Sequence, residues 1–451
     1  MKNVVIRAAY SVVVALAMAA PFCYSAVPLA TNAPAPHPID LATALRLAGA
    51  QNVDVQLARE RLREAQATHA AAMYQFFPWI SPGLAYRRHD GNIQDVAGNI
   101  FDTSKQQYTL GANLQARLEI GDTWYKALAA KQLVNAADHA VEAQRQESIL
   151  AAAIGYFDVV KFRATAVVAQ DAVRIAQDYA DQLQRGTEVG LIFKGDALRA
   201  RGQAERNQIA VEQAREQQRI AAARLSQVLR LDASVDLLPA DNELIPLTLT
   251  DTNAALATLV FQALASRPEL KRGQALTLAA GKNRDAATRG PLIPSLGAQA
   301  FLGGLGGGSS NFRDSESLAL TLDWRLLGPG GLLDSSRKAT VEAQHAAAVI
   351  SGQKNQEIVT LQVVEASTRV RSLAAQITTH QRALATAEET FRLTRERKER
   401  GFGVVLENIF AEQELTRSRT DLLKAVAEFN QAQYSLLRAV GALGGSTTNG
   451  R

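Results

Sequence analysis

The sequence predicts a mostly α-helical protein with a small β part, in which a long helical hairpin and a short strand pair each occur twice. Three observations support this fold class. The order of predicted elements in the first half returns in the second half, proline is missing from two long windows, and two segments of about ten residues alternate apolar and polar side chains.

The duplication is visible in the spacing of two landmarks. Pro78 and Pro294 each end a predicted helix before a strand, and they are 216 residues apart. Gly190 and Gly401 are 211 residues apart, and each is followed by an acidic residue six positions on. Matches that keep the same order in both halves predict two structural repeats.

The windows 83–238 and 330–451 permit very long helices, because all thirteen prolines lie outside them and a proline inside a helix costs about 3 kcal/mol. Predicted helices over 124–188 and 330–400 would be ~97 Å and ~106 Å long. Four shorter helices of ~57–60 Å are predicted over 40–77, 192–230, 252–290 and 402–441. Two of these stacked end to end roughly match one long helix.

Apolar residues recur at spacings of three and four, which predicts that the helices pack in coiled-coil fashion. A solitary solvated helix does not need such a stripe. One predicted seam is Ile149, Ala153, Tyr156, Val160 and Val167, and a second is Leu415, Leu422, Phe429 and Leu436.

Two segments have the period-two alternation of strands with one apolar face. The apolar positions are Tyr108, Leu110, Ala112, Leu114, Ala116 and Leu118 in one, and Leu318, Leu320, Leu322, Trp324 and Leu326 in the other. Less regular partner strands are predicted at 83–89 and 294–302. A soluble half-buried sheet is the alternative, but a predicted export signal and polar loops favour an outer-membrane barrel. Four strands are too few to close a barrel in lipid, so several chains are expected to contribute.

Residues 1–26 have the composition of a secretory signal. Lys2 and Arg7 precede the apolar stretch 12–20, and small residues follow it. An uncleaved membrane anchor is the alternative, but the apolar stretch is shorter than the ~20 residues that a spanning helix needs. Cys23, the single cysteine of the chain, lies within this segment, so the mature chain is expected to have none.

The sequence predicts no enzyme, cofactor site or metal site. Loss of the signal would lower the formal net charge from +5 to +3, and without a basic cluster this charge does not indicate nucleic-acid binding. The six histidines lack metal-ligand spacing, and no Ser/His/Asp or Cys/His arrangement is visible. The glycine-rich stretch 302–310 lacks the Lys-Ser/Thr of a phosphate-binding loop and is predicted to connect two strands.

Over about residues 40–443 the chain resembles the TolC-like outer-membrane efflux protein family. The most specific match is Val189-Gly190-Leu191 followed by Asp196, which resembles the hairpin tip of that family. The second tip of this chain is Arg400-Gly401-Phe402-Gly403 followed by Glu407. The resemblance implies a homotrimer with four strands per chain in an outer-membrane β-barrel and with a periplasmic α-barrel of helical hairpins. It implies a location in the cell outer membrane, extending into the periplasm.

The repeat and the resemblance together predict the organisation of the chain. A signal peptide over 1–26 is followed by an N-terminal extended segment over 27–39. The first repeat covers 40–235, with strands at about 83–119 and a helical hairpin over 122–230, and an equatorial segment covers 231–250. The second repeat covers 251–443, with strands at about 294–326 and a helical hairpin over 330–441, and a flexible tail covers 444–451.

The resemblance also implies site residues. Those expected to dock a periplasmic adaptor, or membrane fusion protein, are Val189, Gly190, Leu191, Gly401, Phe402 and Gly403. A helix C-cap that needs positive φ is the alternative for both tip glycines, and it is compatible with docking. Glu407 and Asp196 are the candidate gate residues at the closed periplasmic end. The family often has a second acid one turn on, where this chain has Phe410. The alternative for Glu407 is a solvated helix face or a helix N-terminal acid, and the alternative for Asp196 is a helix-dipole role or a partner between hairpins.

The function that the resemblance implies is the outer-membrane channel of a tripartite efflux pump or of a type I secretion system. It would be a passive conduit, gated at its periplasmic tips and driven by an inner-membrane pump of the RND, ABC or MFS type. Outer-membrane lipid is the further expected partner. The alternative is a soluble periplasmic coiled-coil adaptor or scaffold, which explains the helices but not the alternating strands.

Overall fold

The computed structural model describes residues 37–232, 235, 237–241, 243–307, 312–400 and 404–443. The predicted signal peptide and tail lie outside these ranges. The first repeat consists of α1 (Leu41–Gln51), α2 (Val53–Tyr74), β2 (Trp79–Gln94), β3 (Ile100–Leu118), α3 (Ile120–Glu188) and α4 (Lys194–Leu229). The second consists of α5 (Leu256–Ser266), α6 (Pro268–Thr288), β5 (Ser295–Gly306), β6 (Phe312–Asp323), α7 (Ser335–Glu399) and α8 (Val405–Val440). Two short strands, β1 (His37–Ile39) and β4 (Leu237–Pro239), pair in parallel.

The two repeats have the same order of elements and similar element lengths. Each runs through a helix of 11 residues, a second helix of 22 or 21, two strands, a helix of 69 or 65, and a helix of 36. The predicted duplication and the mostly helical fold class are therefore confirmed.

The helices predicted to be continuous over 40–77 and 252–290 are each broken into two. The breaks fall at Asn52 and Arg267, which are equivalent positions of the two repeats. Asn52 accepts a hydrogen bond from the amide two residues on (2.9 Å) and so caps α2. Arg267 precedes Pro268, which disfavours helical backbone in the residue before it. At both positions a local capping or proline signal overrides the helical propensity of the surrounding sequence.

Each break docks on the last turn of the shorter hairpin helix of its own repeat. The side-chain amide of Asn52 donates to the carbonyl oxygen of Val228 (2.9 Å) near the end of α4. The guanidinium of Arg267 donates to the carbonyl oxygens of Arg438 (3.1 Å) and Ala439 (3.2 Å) near the end of α8. Carbonyls in a final helical turn have no partner within the helix, so different side chains meet the same backbone need in the two repeats.

Charged side chains surround the second of these breaks. Arg267 is almost fully buried and forms an ion pair with Glu269 (3.0 Å). Arg438 bridges Glu269 (3.0 Å) and Glu147 of α3 (2.9 Å). A buried guanidinium left without a carboxylate would be strongly destabilising, so this cluster holds α3, α6 and α8 in one arrangement.

The long helix α3 contacts helices of both repeats. α1, α2 and α4 pack along it, and so do α6 and α8. The end of α4 meets the start of α2, where Arg230 donates to Gln56 (2.6 Å), so these two helices are stacked along α3 as the predicted lengths required. The predicted seam is buried except at Val167, which is 60% exposed, and the prediction is wrong at that position.

Two buried amide side chains of α8 hold the segment that connects the repeats. Its described residues between β4 and α5, which are 240, 241 and 243–255, form no helix. Asn430 accepts from the backbone N–H of Leu247 (2.9 Å) and donates to the carbonyl oxygen of Ile245 (2.9 Å). Gln433 accepts from the N–H of Leu249 (2.8 Å) and donates to the carbonyl oxygen of Leu247 (2.8 Å). These amides take the place of a neighbouring strand, which satisfies backbone groups that would otherwise be unpaired.

The four longer strands form one antiparallel sheet in the order β2-β3-β5-β6. The register places Leu118, Leu296 and Leu322 side by side, then Leu114, Ala300 and Leu318. The alternating apolar positions of the four strands therefore share one face, while Phe301 and Leu305 of β5 lie on the opposite face. Trp324 and Leu326, predicted to continue the last strand, lie beyond its end at Asp323.

β2 and β6 are the edges of this sheet. None of the described helices combines the length and the apolar character needed to cross a membrane.

The residues that end α4 and α8 provide a test of backbone strain. Arg230 has φ of 58° and Gly441 has φ of 80°, both in the left-handed region. We expect Gly441→Ala to destabilise the protein by at least about 1–2 kcal/mol, the cost of left-handed backbone for a residue with a Cβ. The added Cβ would also lie only 2.6 Å from Oγ of Ser266.

Arg230→Gly is the matched variant, because it removes the same strain at the equivalent position. It also loses the hydrogen bond to Gln56, so we expect a net change near zero. Melting temperatures of the full-length protein in detergent would measure both effects. Equal losses for the two variants would contradict the assignment of strain to Arg230.

Candidate functional site

The first hairpin ends in a tight turn built around Gly190, which has φ of +75°. The N–H of Leu191 donates to the carbonyl oxygen of Gly186 (2.9 Å), and the N–H of Gly190 donates to that of Thr187 (3.1 Å). These two bonds form a Schellman motif, which satisfies the last helical carbonyls while the chain reverses. The predicted helix C-cap is therefore confirmed at Gly190.

One residue after this turn anchors the tip to the helices. Ile192 packs so closely on α3 that a Cβ on Gly186 would lie 2.6 Å from its side chain. It joins a buried apolar cluster formed by Tyr179, Ala180, Leu183, Ala197, Ala200 and Ile409. Since Ile409 belongs to α8, the second repeat helps to hold the first tip in place.

The neighbouring apolar residues of the turn point outward. Val189 is 68% exposed, Leu191 83% and Phe193 73%. Phe193 lies against α4, where a Cβ on Gly195 would come within 2.4 Å of its ring. Three large apolar side chains on a rigid turn are a local apolar surface of the kind that partner proteins cover.

The second tip is described only at its flanks. Gly401, Phe402 and Gly403 lie outside the described residues. After them, Val404, Leu406 and Phe410 are exposed apolar residues at the start of α8. The described part of the second tip therefore also presents apolar side chains.

The two candidate gate acids form ion pairs within their own hairpins. Glu407 lies in the first turn of α8 and pairs with Arg397 of α7 (3.3 Å). Asp196 lies in the first turn of α4 and pairs with Arg199, one turn further on (3.0 Å). Both positions suit the N-terminal end of a helix dipole, where negative charge is stabilised.

A polar cluster that sequence reasoning missed joins α4 to α8 near the tips. We call Gln203, Asn207, Glu412 and Gln413 the inter-repeat cluster. Asn207 donates to the carboxylate of Glu412 (3.0 Å), and Gln413 donates to the side-chain oxygen of Gln203 (2.7 Å). Glu412 is only 4% exposed. Burial raises the pKa of the Glu412 carboxyl above its ordinary value, although its hydrogen bonds with Asn207 and Thr416 oppose the shift.

Two further contacts link the hairpins beside this cluster. Asp171 of α3 pairs with Arg419 of α8 (3.0 Å). The ammonium of Lys398, on α7, lies 3.3 Å from the centre of the Tyr179 ring on α3. Near their tips, the two hairpins are thus joined by one ion pair and one cation–π contact in addition to the inter-repeat cluster.

A sequence signal for these contacts exists in retrospect. Extending the seven-residue seam backward from Leu415 reaches Asn408, a buried polar residue in an otherwise apolar series. A polar residue at a seam position marks a specific pairing of helices. The partners of the cluster could not be read from that pattern, because they lie about 200 residues away in the other repeat.

The comparisons with known proteins agree with this geometry. The family model described as outer membrane efflux protein matches residues 44–229 and 259–442, most of both repeats. The chain belongs to that family.

Among similar proteins, Protein CyaE of Bordetella pertussis is 27% identical over 402 residues, covering 87% of this chain and 81% of CyaE. The CmeC outer membrane channel of Campylobacter jejuni has a TM-score of 0.79 at 15% identity, covering 89% of this chain and 85% of CmeC. The open state of the MtrE outer membrane channel of Neisseria gonorrhoeae has a TM-score of 0.73 at 16% identity, covering 89% of each chain.

The family membership identifies the protein as an outer-membrane efflux channel with a periplasmic extension, and it is not an enzyme. The soluble adaptor that the sequence left as an alternative would not need the apolar face of the four-stranded sheet. Within the described ranges, no group of three or more His, Cys, Asp or Glu side chains could hold a metal ion.

The buried Glu412 makes the stability of the inter-repeat cluster depend on pH. Its pKa is raised in the folded protein above the ordinary value of 4.5. The stabilising proton is fully bound below about pH 4.5 and is lost as the pH rises through the raised pKa. We therefore expect the melting temperature of the wild type to fall relative to that of Glu412→Gln over this range, because glutamine keeps the hydrogen-bond acceptor without the charge.

Glu414→Gln is the matched control, since Glu414 is exposed on the same helix. Thermal unfolding of the detergent-solubilised protein between pH 4 and pH 8, followed by circular dichroism, would measure the effect. Parallel pH profiles for wild type and Glu412→Gln would show that the buried carboxyl does not control this cluster.

Proposed function

We propose that three copies of this chain form a passive exit duct through the outer membrane and periplasm. The observation that supports this most directly is the sheet of four strands, which has an apolar face and two free edges, β2 and β6. Backbone groups at a sheet edge cannot remain unpaired in lipid, so membrane-spanning sheets are closed. Four strands are too few to close a barrel, whereas three chains would supply twelve.

The helical part fits the same assembly. Each chain supplies two hairpins of nearly equal length, 69 with 36 residues and 65 with 36 residues. Three chains would then arrange six similar hairpins around one axis, giving a tube with near-sixfold symmetry. Because the chain is a conduit, we propose that energy comes from an inner-membrane pump of the RND, ABC or MFS type.

The hairpin tips are the proposed docking sites for a periplasmic adaptor protein. The Schellman motif of the first tip uses its backbone amides internally, so Val189, Gly190 and Leu191 offer a partner mainly apolar surface and a close backbone approach at glycine. Gly401, Phe402 and Gly403 are proposed for the second tip on the basis of the sequence pattern. Exposed Val404 and Leu406 beside them extend the apolar surface.

Glu407 and Asp196 are the proposed gate residues at the periplasmic end. Three copies of Glu407 near one axis would repel each other and attract cations. The ion pair with Arg397 reduces this repulsion and ties the start of α8 to the end of α7. Glu407 is half exposed and can act on the pore opening, whereas Asp196 pairs along its own helix and would act by supporting the first tip.

We expect Leu191→Asp to abolish pump-driven export while trimers persist. A carboxylate that must be buried against an apolar partner costs several kcal/mol, so adaptor affinity should fall by about tenfold or more. Export assays in cells and adaptor binding to the purified trimer would measure both effects.

Ile209→Asp is the matched control, because Ile209 is an exposed apolar residue on the shaft of α4, away from the tip. It should leave adaptor binding and export near wild-type levels. Normal export by Leu191→Asp would exclude Leu191 from docking.

We expect Glu407→Ala to loosen the periplasmic end, because the pairing with Arg397 is lost. Planar-bilayer recordings should give a higher open probability and a weaker preference for cations at that end of the channel. Arg397→Ala should raise the open probability too, whereas Glu414→Ala, on an exposed face of the same helix, should not. Unchanged conductance and ion preference in Glu407→Ala would argue against Glu407 as a gate.

A further inference from the structure

We propose that the extracellular mouth of the channel carries an inward-facing ring of cations that binds polyanions and favours the exit of acidic cargo. This inference rests on the trimeric duct proposed above. It concerns the opposite end of the molecule from the hairpin tips, and nothing in the family match assigns a role to these residues.

The first strand hairpin extends beyond the second. β2 and β3 pair from Trp79 up to Gln94, whereas β3 pairs with β5 only from Tyr108 downward. Eight residue pairs of β2 and β3 therefore extend beyond the part of the sheet that includes β5 and β6. They run from Arg87 paired with Gln107 to Gln94 paired with Ile100. At about 3.3 Å per residue they would extend roughly 26 Å along the strand direction.

The register assigns each side chain of this extension to a face. On the apolar face, Leu84 lies beside Leu110 and Tyr86 beside Tyr108, with ring centroids 5.0 Å apart. Paired tyrosines at the end of an apolar band are typical of the aromatic girdle of an outer-membrane barrel. The apolar face is therefore the lipid face, and the opposite face of the same strands lines the lumen.

Charges in the part of the sheet nearer the hairpin loops are separated by face. Within the described residues 84–94, 100–110 and 312–316, the lumen-facing positions include no acid and four basic residues: Arg87, His89, Lys105 and Arg313. The opposite face has one arginine, Arg88, and four acids, which are Asp90, Asp102, Asp314 and Glu316. The arginine of the outer face is already paired with Asp90 (2.6 Å).

The lumen-facing cations have no such compensation. Arg87, Lys105 and Arg313 form no ion pair with any residue of the described ranges, and all three are exposed. His89 lies directly opposite Lys105 in the register. Three positive charges per chain, with the imidazole of His89 beside them, face the same space.

Strand tilt brings these cations to a similar height. In the sheet, Arg313 is level with Ala85, two to four positions below Arg87 and His89. Strands in such barrels tilt by about 35–45° from the barrel axis. Across the three strand spacings from β2 to β6, residues at the same height above the membrane therefore differ by about three to four positions in the register. The offset of Arg313 from the other three residues is of the size that strand tilt produces across these strands, and on that ground we assign Arg313 to the same ring, between one first hairpin and the next.

The chemistry of the ring selects its ligand. Three chains would place nine guanidinium and ammonium groups around one aqueous opening, where fields of the same sign add and raise the local concentration of anions. Guanidinium groups bind phosphate and carboxylate oxygens in pairs. Anionic lipid headgroups are not the expected ligand, because the lipid-facing side at this level is acidic. The ligand class is a soluble polyanion or an acidic cargo passing through the lumen.

The test is block of the channel current by inositol hexakisphosphate in planar bilayers that contain the full-length trimer. We expect block from one chamber only, weaker in 1 M than in 0.1 M KCl because salt screens the charges. The variant Arg87→Gln/Lys105→Gln/Arg313→Gln should weaken the block by about tenfold or more. It should also shift the reversal potential in a KCl gradient toward cations.

Arg88→Gln is the matched control, because Arg88 lies on the same strand but faces the lipid side. It should leave block and reversal potential near wild type. A wild type that conducts as a trimer without one-sided block, or a triple variant that is blocked as strongly as wild type, would overturn the cation ring alone. A wild type that remains a monomer without conductance would instead overturn the proposed duct and this inference with it. Heat-modifiable trimer bands and unitary conductance would establish that the triple variant is folded.

Discussion

The requirement that backbone hydrogen bonds be closed within lipid governs this molecule. The four strands have an apolar face of leucines, alanines and tyrosines, and their register is continuous from β2 to β6. The sheet nevertheless ends at two edges, β2 and β6, which pair with no further strand among the residues that the structure describes. A membrane environment cannot hydrate the N–H and C=O groups of such an edge. In the proposed trimer, assembly is therefore part of the folding problem for this chain, and the helical hairpins have to be compatible with the symmetry of the closed barrel.

The duplication meets equivalent structural needs with different residues. Asn52 and Arg267 break the paired helices at the same place, and each satisfies carbonyls at the end of a hairpin helix. The second solution brings a buried charge that then needs Glu269 as a partner. Arg230 and Gly441 occupy equivalent left-handed caps, one with strain and one without. The backbone plan is thus common to both repeats, while the side-chain energetics have become different.

Charge is unevenly distributed along the length of the molecule, and this unevenness is where the proposed functions lie. Near the periplasmic tips, apolar residues such as Leu191 are exposed, while Glu407 and the inter-repeat cluster provide the polar contacts between helices. At the other end, basic residues such as Arg87 and Lys105 lie on the face opposite the apolar one, whereas acids such as Asp90 and Asp102 lie on the apolar side. A conduit with no catalytic group can still discriminate among solutes through the sign of the fields at its two ends.

The sequence by itself determined the duplicated order of elements, the long helices, the alternating strands and the tip at Gly190. These features depend on local patterns, namely proline placement, period-two or seven-residue spacing, and a glycine at positive φ. Only the tertiary structure decided that Val167 is exposed, that Trp324 and Leu326 lie beyond the strand, and that Glu412 is buried against Asn207. It also decided that both helix breaks dock on the ends of hairpin helices, because the side chains of Asn52 and Arg267 find those partners about 170 residues away. Contacts between the repeats depend on which helix faces meet in space, and that choice is made by packing over the whole chain rather than by any local run of residues.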